Sequence, residues 1–153
     1  MSMRIHIATD HAGLEFKDKL SEHLNQLNYE VIDHGAYDYN PTDDYPEFII
    51  SAAEAVARDQ AEGTVALGVI FGGSGNGEQM AANKVKGIRA ALVWNDDTAM
   101  KAREHNNANI VSIGARQHSE AEALRLIDLF LNTPFSADER HVRRINQISD
   151  YES

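Results

Sequence analysis

Apolar positions along the chain change period several times, and each change marks an element. Residues 3–9 alternate over a short span and stop at Asp10-His11-Ala12-Gly13, as a strand does when it runs into a polar loop. Leu14, Phe16, Leu20, Leu24 and Leu27 then share one side of a helix expected over 14–28, with charged residues between them. A second short strand over 29–33 is closed by His34-Gly35. The polar stretch 37–45 is the longest loop. Pro46 suits the first turn of the next helix, which buries Ile49, Ala52, Ala53 and Val56. Residues 64–71 are almost continuously apolar, the mark of a strand covered on both faces of a parallel sheet. Gly72-Gly73-Ser74-Gly75-Asn76-Gly77 breaks that run before a helix expected over 78–84. Strands over 88–94 and 109–113 alternate with helices over 96–104 and 119–131, the latter with Leu124, Ile127 and Leu131 on one face. After Thr133-Pro134, a last helix over 137–150 is expected to turn Val142, Ile145 and Ile148 inward.

Strands separated by helices require right-handed crossovers and a parallel sheet with helices on both sides. The expected fold is a single-domain, three-layer α/β/α, Rossmann-like architecture with a five-stranded parallel sheet, spanning residues 1–153 without repeat or linker. Ligands of such sheets bind outside the C-terminal strand ends. Asp10, His11, the glycine loop, Asn95, Asp96, Asp97 and Arg116 fall there.

Composition narrows the chemistry. A chain of 153 residues with 42% hydrophobic and 25% charged residues has the length and balance of one globular domain. Fourteen Lys plus Arg against 24 Asp plus Glu leave a formal charge of -10, a field that repels nucleic acid and anionic membranes. An anionic ligand therefore needs a local basic pocket. With no cysteine, disulfides, thiolate metal sites and thiol nucleophiles are excluded. The first residues hold no long apolar segment behind Arg4, and no window approaches 18 consecutive apolar residues, so a cytoplasmic location without membrane or targeting segment is expected.

The glycine loop is the strongest local signal. Four glycines in six residues, between a buried strand and a helix, let the backbone turn tightly and aim N–H groups at an anion or a developing oxyanion. The loop fits neither common nucleotide fingerprint: no Lys-Ser/Thr follows, and Glu78 stands where G-x-G-x-x-G needs its last glycine. Glu78 is either an acidic residue complementing a helix start or, partly desolvated beside the loop, a general base. His11 and His105 are each either solvated loop histidines or acid–base groups. Asp10, His11 and His105 have no recognisable metal-ligand spacing. Arg140 and Arg144 lie one helical turn apart in the only dense basic cluster, either a solvated face or a phosphate site, and Arg116 beside a strand end is a third candidate.

Taken in order, Asp10-His11-Ala12-Gly13, Asp44-Tyr45-Pro46, Gly72 through Gln79 followed by Ala81-Ala82-Asn83-Lys84, Arg103-Glu104-His105-Asn106-Asn107, Gly114-Ala115-Arg116 and Arg140-His141-Val142-Arg143-Arg144 resemble the ribose-5-phosphate isomerase B family, shared with galactose-6-phosphate isomerase subunits. The resemblance spans essentially the whole chain. It implies aldose–ketose isomerisation of a sugar phosphate, D-ribose 5-phosphate and D-ribulose 5-phosphate, with neither metal nor organic cofactor. By matching position, Glu78 would move the proton between C2 and C1 and His105 would open the furanose ring with Asp10 as counterpart. Gly73, Ser74, Gly75, Asn76 and Gly77 would hold the enediolate, and Asn106 would position the sugar. His11, Arg116, Arg140 and Arg144 would bind phosphate. Many members carry a Cys base where this chain has Gly72, so the chain resembles the subgroup that uses a glutamate instead. The resemblance also implies a homodimer, with pairing into a dimer of dimers left open, and the helix near 137–150 reaching the neighbouring subunit. An isomerase of a hexose or tetrose phosphate and a non-catalytic sugar-phosphate or nucleotide-binding module are the alternatives.

Overall fold

The computed structural model describes residues 3–153, so Met1 and Ser2, where the reading of the N-terminus begins, lie outside the described residues. Five strands, β1 (Arg4–Thr9), β2 (Glu30–Asp33), β3 (Ala66–Gly72), β4 (Ala90–Leu92) and β5 (Ile110–Gly114), form one parallel sheet in the order β2-β1-β3-β5-β4. Six helices connect or follow them: α1 (Leu14–Gln26), α2 (Tyr45–Ala61), α3 (Asn76–Ala82), α4 (Asp96–Glu104), α5 (Glu120–Asn132) and α6 (Glu139–Glu152).

β3 is buried throughout because it lies between β1 and β5 and both its faces are covered. On one face Ile5, Ile7, Val69, Phe71, Val111 and Ile113 pack with residues of α1, α4 and α5 such as Leu20, Leu24, Ala102, Leu126 and Phe130. On the other, Ala8, Ile70 and Ile110 meet Ile49, Ala52, Ala53 and Val56 of α2 and Ala82 of α3. Each large aliphatic side chain buried this way is worth about 1.5–3 kcal/mol. Chain order reverses beside β1, where the path leaves β2 on one side and resumes at β3 on the other. The crevice opened there holds the loops after β1 and β3, the position where parallel α/β sheets bind ligands.

Three boundaries differ from the pattern. α3 begins at Asn76, so Asn76 and Gly77 open the helix and the free loop is only 73–75. β4 is three residues long, because Val93 is buried beyond its ladder while Trp94 faces outward. α6 forms, but its apolar stripe is not inward: Val142 is 37% and Ile148 56% exposed, and His141 is the only buried residue of the helix. Five helices already cover both faces of the sheet, which leaves α6 to lie across its N-terminal edge. There Ser136 N–H donates to Glu104 O (3.0 Å) and Gly87 N–H donates to Glu152 Oε1 (2.7 Å). No helix among the described residues is long and apolar enough to cross a membrane.

Candidate functional site

The C-terminal edge of the sheet carries the first group of candidates. Glu78, in the first turn of α3, folds its side chain back over the end of β3 and is 5% exposed. Its carboxylate fills the space a side chain at Gly72 would take: a Cβ there would overlap Oε1, Oε2 and Cδ. Burial pushes the Glu78 carboxyl above the usual range. Its own backbone N–H works against that shift, and the nearby charge of Asp10 adds to it. Asp10, 8% exposed at the end of β1, accepts a hydrogen bond from Ala12 N–H (2.9 Å) that fixes the turn after the strand.

The loop between β3 and α3 supplies donors. Gly75 adopts φ +84°, a conformation that costs most residues a steric penalty, and its carbonyl accepts from Ser112 Oγ (2.8 Å). The N–H groups of Gly73, Ser74 and Gly75 have no protein acceptor among the described residues. Ser74 Oγ accepts from Asn76 N–H and Nδ2 (both 3.2 Å), which leaves its own proton free to donate. Arg116 follows β5, donates its backbone N–H to Gly73 O (3.0 Å) and lays its guanidinium against the Gly73 backbone. Two residues of this group escaped the sequence reading. The Tyr45 hydroxyl lies 2.5 Å from where a Cβ at Gly77 would sit, and Asp43 Oδ1 accepts from His11 Nδ1 at 2.7 Å. The Asp44-Tyr45-Pro46 motif marked the segment but not the contacts.

A second group stands at the opposite edge. His105 caps the C-terminal end of α4, and α4 runs back against the strand direction, so its end lies beside the start of β5. The His105 ring stacks on His141 (4.3 Å, 26°). His141 shares a hydrogen bond with Ser136 Oγ (2.9 Å), and burial is the first cause that holds its imidazole below the usual range, aided by His105 and Arg140. Arg89 donates to Asn106 O (3.0 Å) and Asn107 O (2.8 Å), and Arg103 to Ala108 O (2.6 Å), which clamps the turn that carries His105 and Asn106. Arg143 pairs with Glu139 (2.7 Å), whereas Arg140 and Arg144 are exposed and have no carboxylate partner among the described residues.

The candidates therefore do not converge within one chain. Asp10, His11, Gly73, Ser74, Gly75, Asn76, Gly77, Glu78 and Arg116 share one edge; His105, Asn106, Arg140 and Arg144 share the other. The length of β5 separates them, about 16 Å at 3.3 Å per residue. For the same reason His105 cannot join Asp10 and His11 as a metal ligand within one chain. Among the described residues the one group with metal-ligating reach is Asp10, His11 and Asp43. As it stands, Nδ1 and Oδ1 at 2.7 Å form a hydrogen bond, closer than the roughly 3.3 Å between two ligands of a tetrahedral ion.

Comparison with known proteins shows the family. Residues 5–148 match the family described as Ribose/Galactose Isomerase. The chain belongs to the ribose/galactose isomerase family. A curated member, ribose-5-phosphate isomerase B of Mycobacterium tuberculosis strain H37Rv, is 51% identical over 150 residues, covering 98% of this chain and 90% of that protein. The structure of the Mycoplasma genitalium ribose-5-phosphate isomerase B with bound ribulose-5-phosphate superposes with a TM-score of 0.94 at 41% identity, covering 99% of this chain and 97% of the other. The type B enzyme of Trypanosoma cruzi gives 0.91 at 39% identity, with the same coverage of each chain. In this chain any side chain at position 72 would meet the Glu78 carboxylate, so a side chain at 72 and Glu78 in its present seat would compete for one volume.

Proposed function

We propose that the protein interconverts D-ribose 5-phosphate and D-ribulose 5-phosphate, with Glu78 as the base that moves the proton. The observation that carries this reading is the seat of Glu78: a buried carboxylate at a C-terminal strand end, its basicity raised by burial, beside three backbone N–H groups without a protein acceptor among the described residues. In the open-chain aldose, Glu78 takes the proton from C2 as the C1 carbonyl becomes the oxygen of a cis-enediolate. The same carboxyl returns the proton to C1 as the hydroxyl proton passes from the C2 oxygen to the C1 oxygen, leaving the C2 oxygen as the carbonyl. One group serves both carbons because they are adjacent on one face of a planar intermediate. The loop N–H groups and the Ser74 hydroxyl meet the enediolate oxygens, each well-placed donor contributing about 3–4 kcal/mol. Ring opening precedes this step: His105 protonates the ring oxygen while Asp10 takes the proton of the anomeric hydroxyl. Asn106 positions the sugar, and His11, Arg116, Arg140 and Arg144 neutralise the phosphate.

A second copy of the chain completes the site. The C-terminal edge carries the carboxylates Asp10, Asp43 and Glu78, the N-terminal edge carries His105, His141, Arg89 and Arg103, and α6 carries an uncovered apolar stripe beside Arg140 and Arg144. Two chains related by a two-fold axis bring unlike edges together twice, so a homodimer holds two complete sites. The relatives' names and the ribulose-5-phosphate in the Mycoplasma genitalium structure support the choice of pentose phosphate. The test is turnover of chelator-treated protein on D-ribose 5-phosphate, with allose 6-phosphate and galactose 6-phosphate alongside. Pentose preference is expected, lowered by about 10³ or more in Glu78→Gln with phosphate affinity retained. Near-normal turnover in that variant would remove Glu78 from the chemistry.

A further inference from the structure

Asp43 is a carboxylate buried at a cost that the fold does not explain. Its side chain is 7% exposed, although most of the 37–45 loop around it is open to solvent. Oδ1 accepts from both the ring Nδ1 (2.7 Å) and the backbone N–H (3.3 Å) of His11. Oδ2 is buried and has no partner among the described residues. All the hydrogen bonding of the side chain thus goes to one residue, 32 positions away, while a desolvated oxygen is left unmatched. A loop residue selected only for stability would be cheaper as a neutral side chain.

Chemistry at the ring gives the cost a purpose. A carboxylate accepts only, so Nδ1–H of His11 donates to Asp43, and Nε2 is left to meet a ligand, donating to an anion when the ring carries a proton on both nitrogens. Tyr39 sits edge-on to the same ring at 6.0 Å and 87°, which limits its rotation from a second side. We propose that Asp43 is a positioning residue for phosphate recognition: it holds the His11 imidazole so that Nε2 faces the anion. This rests on the phosphate-binding role given to His11 above. A fixed donor matters here because the pocket wall is acidic. A ring free to rotate would turn Nε2–H toward Asp10 and present the anion with a ring carbon.

Inorganic phosphate is the probe, titrated calorimetrically into the assembled protein, so that the measurement does not depend on turnover. Asp43→Ala is expected to weaken phosphate about tenfold and to raise KM for ribose 5-phosphate by a similar factor, with kcat falling less than about threefold. Asp43→Asn keeps an acceptor oxygen and is expected to recover most of the loss. The decisive arm is the double variant: in a His11→Ala background, Asp43→Ala should change phosphate affinity no further, because its route to the ligand is gone. A full additional loss in that background would overturn the proposal and make Asp43 a loop anchor. Unchanged phosphate affinity and KM in Asp43→Ala would overturn it too. If the alanine variant does not fold, imidazole ¹⁵N resonances of wild-type His11 decide. With phosphate bound, protons on both ring nitrogens support the proposal, and an unprotonated Nδ1 or Nε2 defeats it. Absence of turnover in wild type with the phosphate coupling intact would sink the isomerase reading and leave the Asp43 assignment standing.

Discussion

Glu78 and Gly72 form one device. The carboxylate reaches its seat only because position 72 lacks a side chain, so Gly72→Ala is expected to displace Glu78 and lower kcat by about 10² or more while the sheet stays folded. Circular dichroism beside the kinetic assay separates loss of the base from loss of the fold. The same seat makes stability depend on pH. Burial raises the Glu78 carboxyl, so folding favours its protonated form. Below the ordinary glutamate range both folded and unfolded chains are protonated there and no penalty exists. As pH climbs through the raised value, the folded state must ionise a buried group and stability falls. Glu78→Gln removes that penalty, so it is expected to melt above wild type near pH 8, with the gap closing toward about pH 4. A variant that loses activity and gains stability has the sign expected of a group held for chemistry. A lower melting temperature at pH 8 would mean that the carboxylate instead anchors the loop.

Among the elements, the β1–α2 contact holds a buried polar chain that fixes the strand from which Asp10 and His11 project. His6 bonds Asp59 Oδ2 (2.6 Å) and His34 (2.8 Å), His34 bonds Ser51 Oγ (2.9 Å), and Arg4 pairs with Asp59 Oδ1 (3.1 Å). Burial pushes the Asp59 carboxyl up, but hydrogen bonds from His6 and Arg4 outweigh it and hold the group below the usual range. Its stabilisation is present above the unfolded carboxylate value and fades as pH falls through the lowered one. Asp59→Asn should therefore melt several degrees below wild type at neutral pH, the difference shrinking below about pH 4. None of this network was legible from the sequence, because strand alternation assigns His6 to a face without saying what meets it. β3 was legible, since a run apolar on both faces has one home in a parallel sheet. β4 was overextended because Val93 and Trp94 prolong its apolar pattern past the ladder. The stripe of α6 was read as inward because periodicity reports an amphipathic helix, not the identity of what covers it. Asp10, Glu78 and Arg116 were legible as strand-end neighbours. Asp43 and Tyr45 were not, because the aperiodic loop that carries Asp43 and the first residue of α2, Tyr45, meet His11 and Gly77 only through the fold.

At the scale of the molecule, the two groups of candidate residues lie at opposite edges of the sheet. Helices in a parallel α/β sheet return against the strands, so a residue that ends α4 cannot share an edge with one that ends β1. His105 is built into its edge by the stack on His141 and the Arg89 and Arg103 clamp, and Glu78 is built into the other by Gly72. Neither group can cross the sheet without unfolding its support. If the halves meet only between chains, two defective chains should repair each other. In a dimer of Glu78→Gln with His105→Asn, one site keeps the intact Glu78 and the intact His105, and the other has lost both. Random pairing after joint refolding makes half of all dimers mixed, so the mixture is expected to recover about a quarter of wild-type turnover from two nearly inactive parents. A site complete within each chain predicts a mixture no more active than the mean of its parents. Co-expression with two different affinity tags isolates the mixed dimer, where the expected turnover rises to about half of wild type. Recovery near half at unchanged KM would show that the intact site is ordinary and that only its parentage is divided.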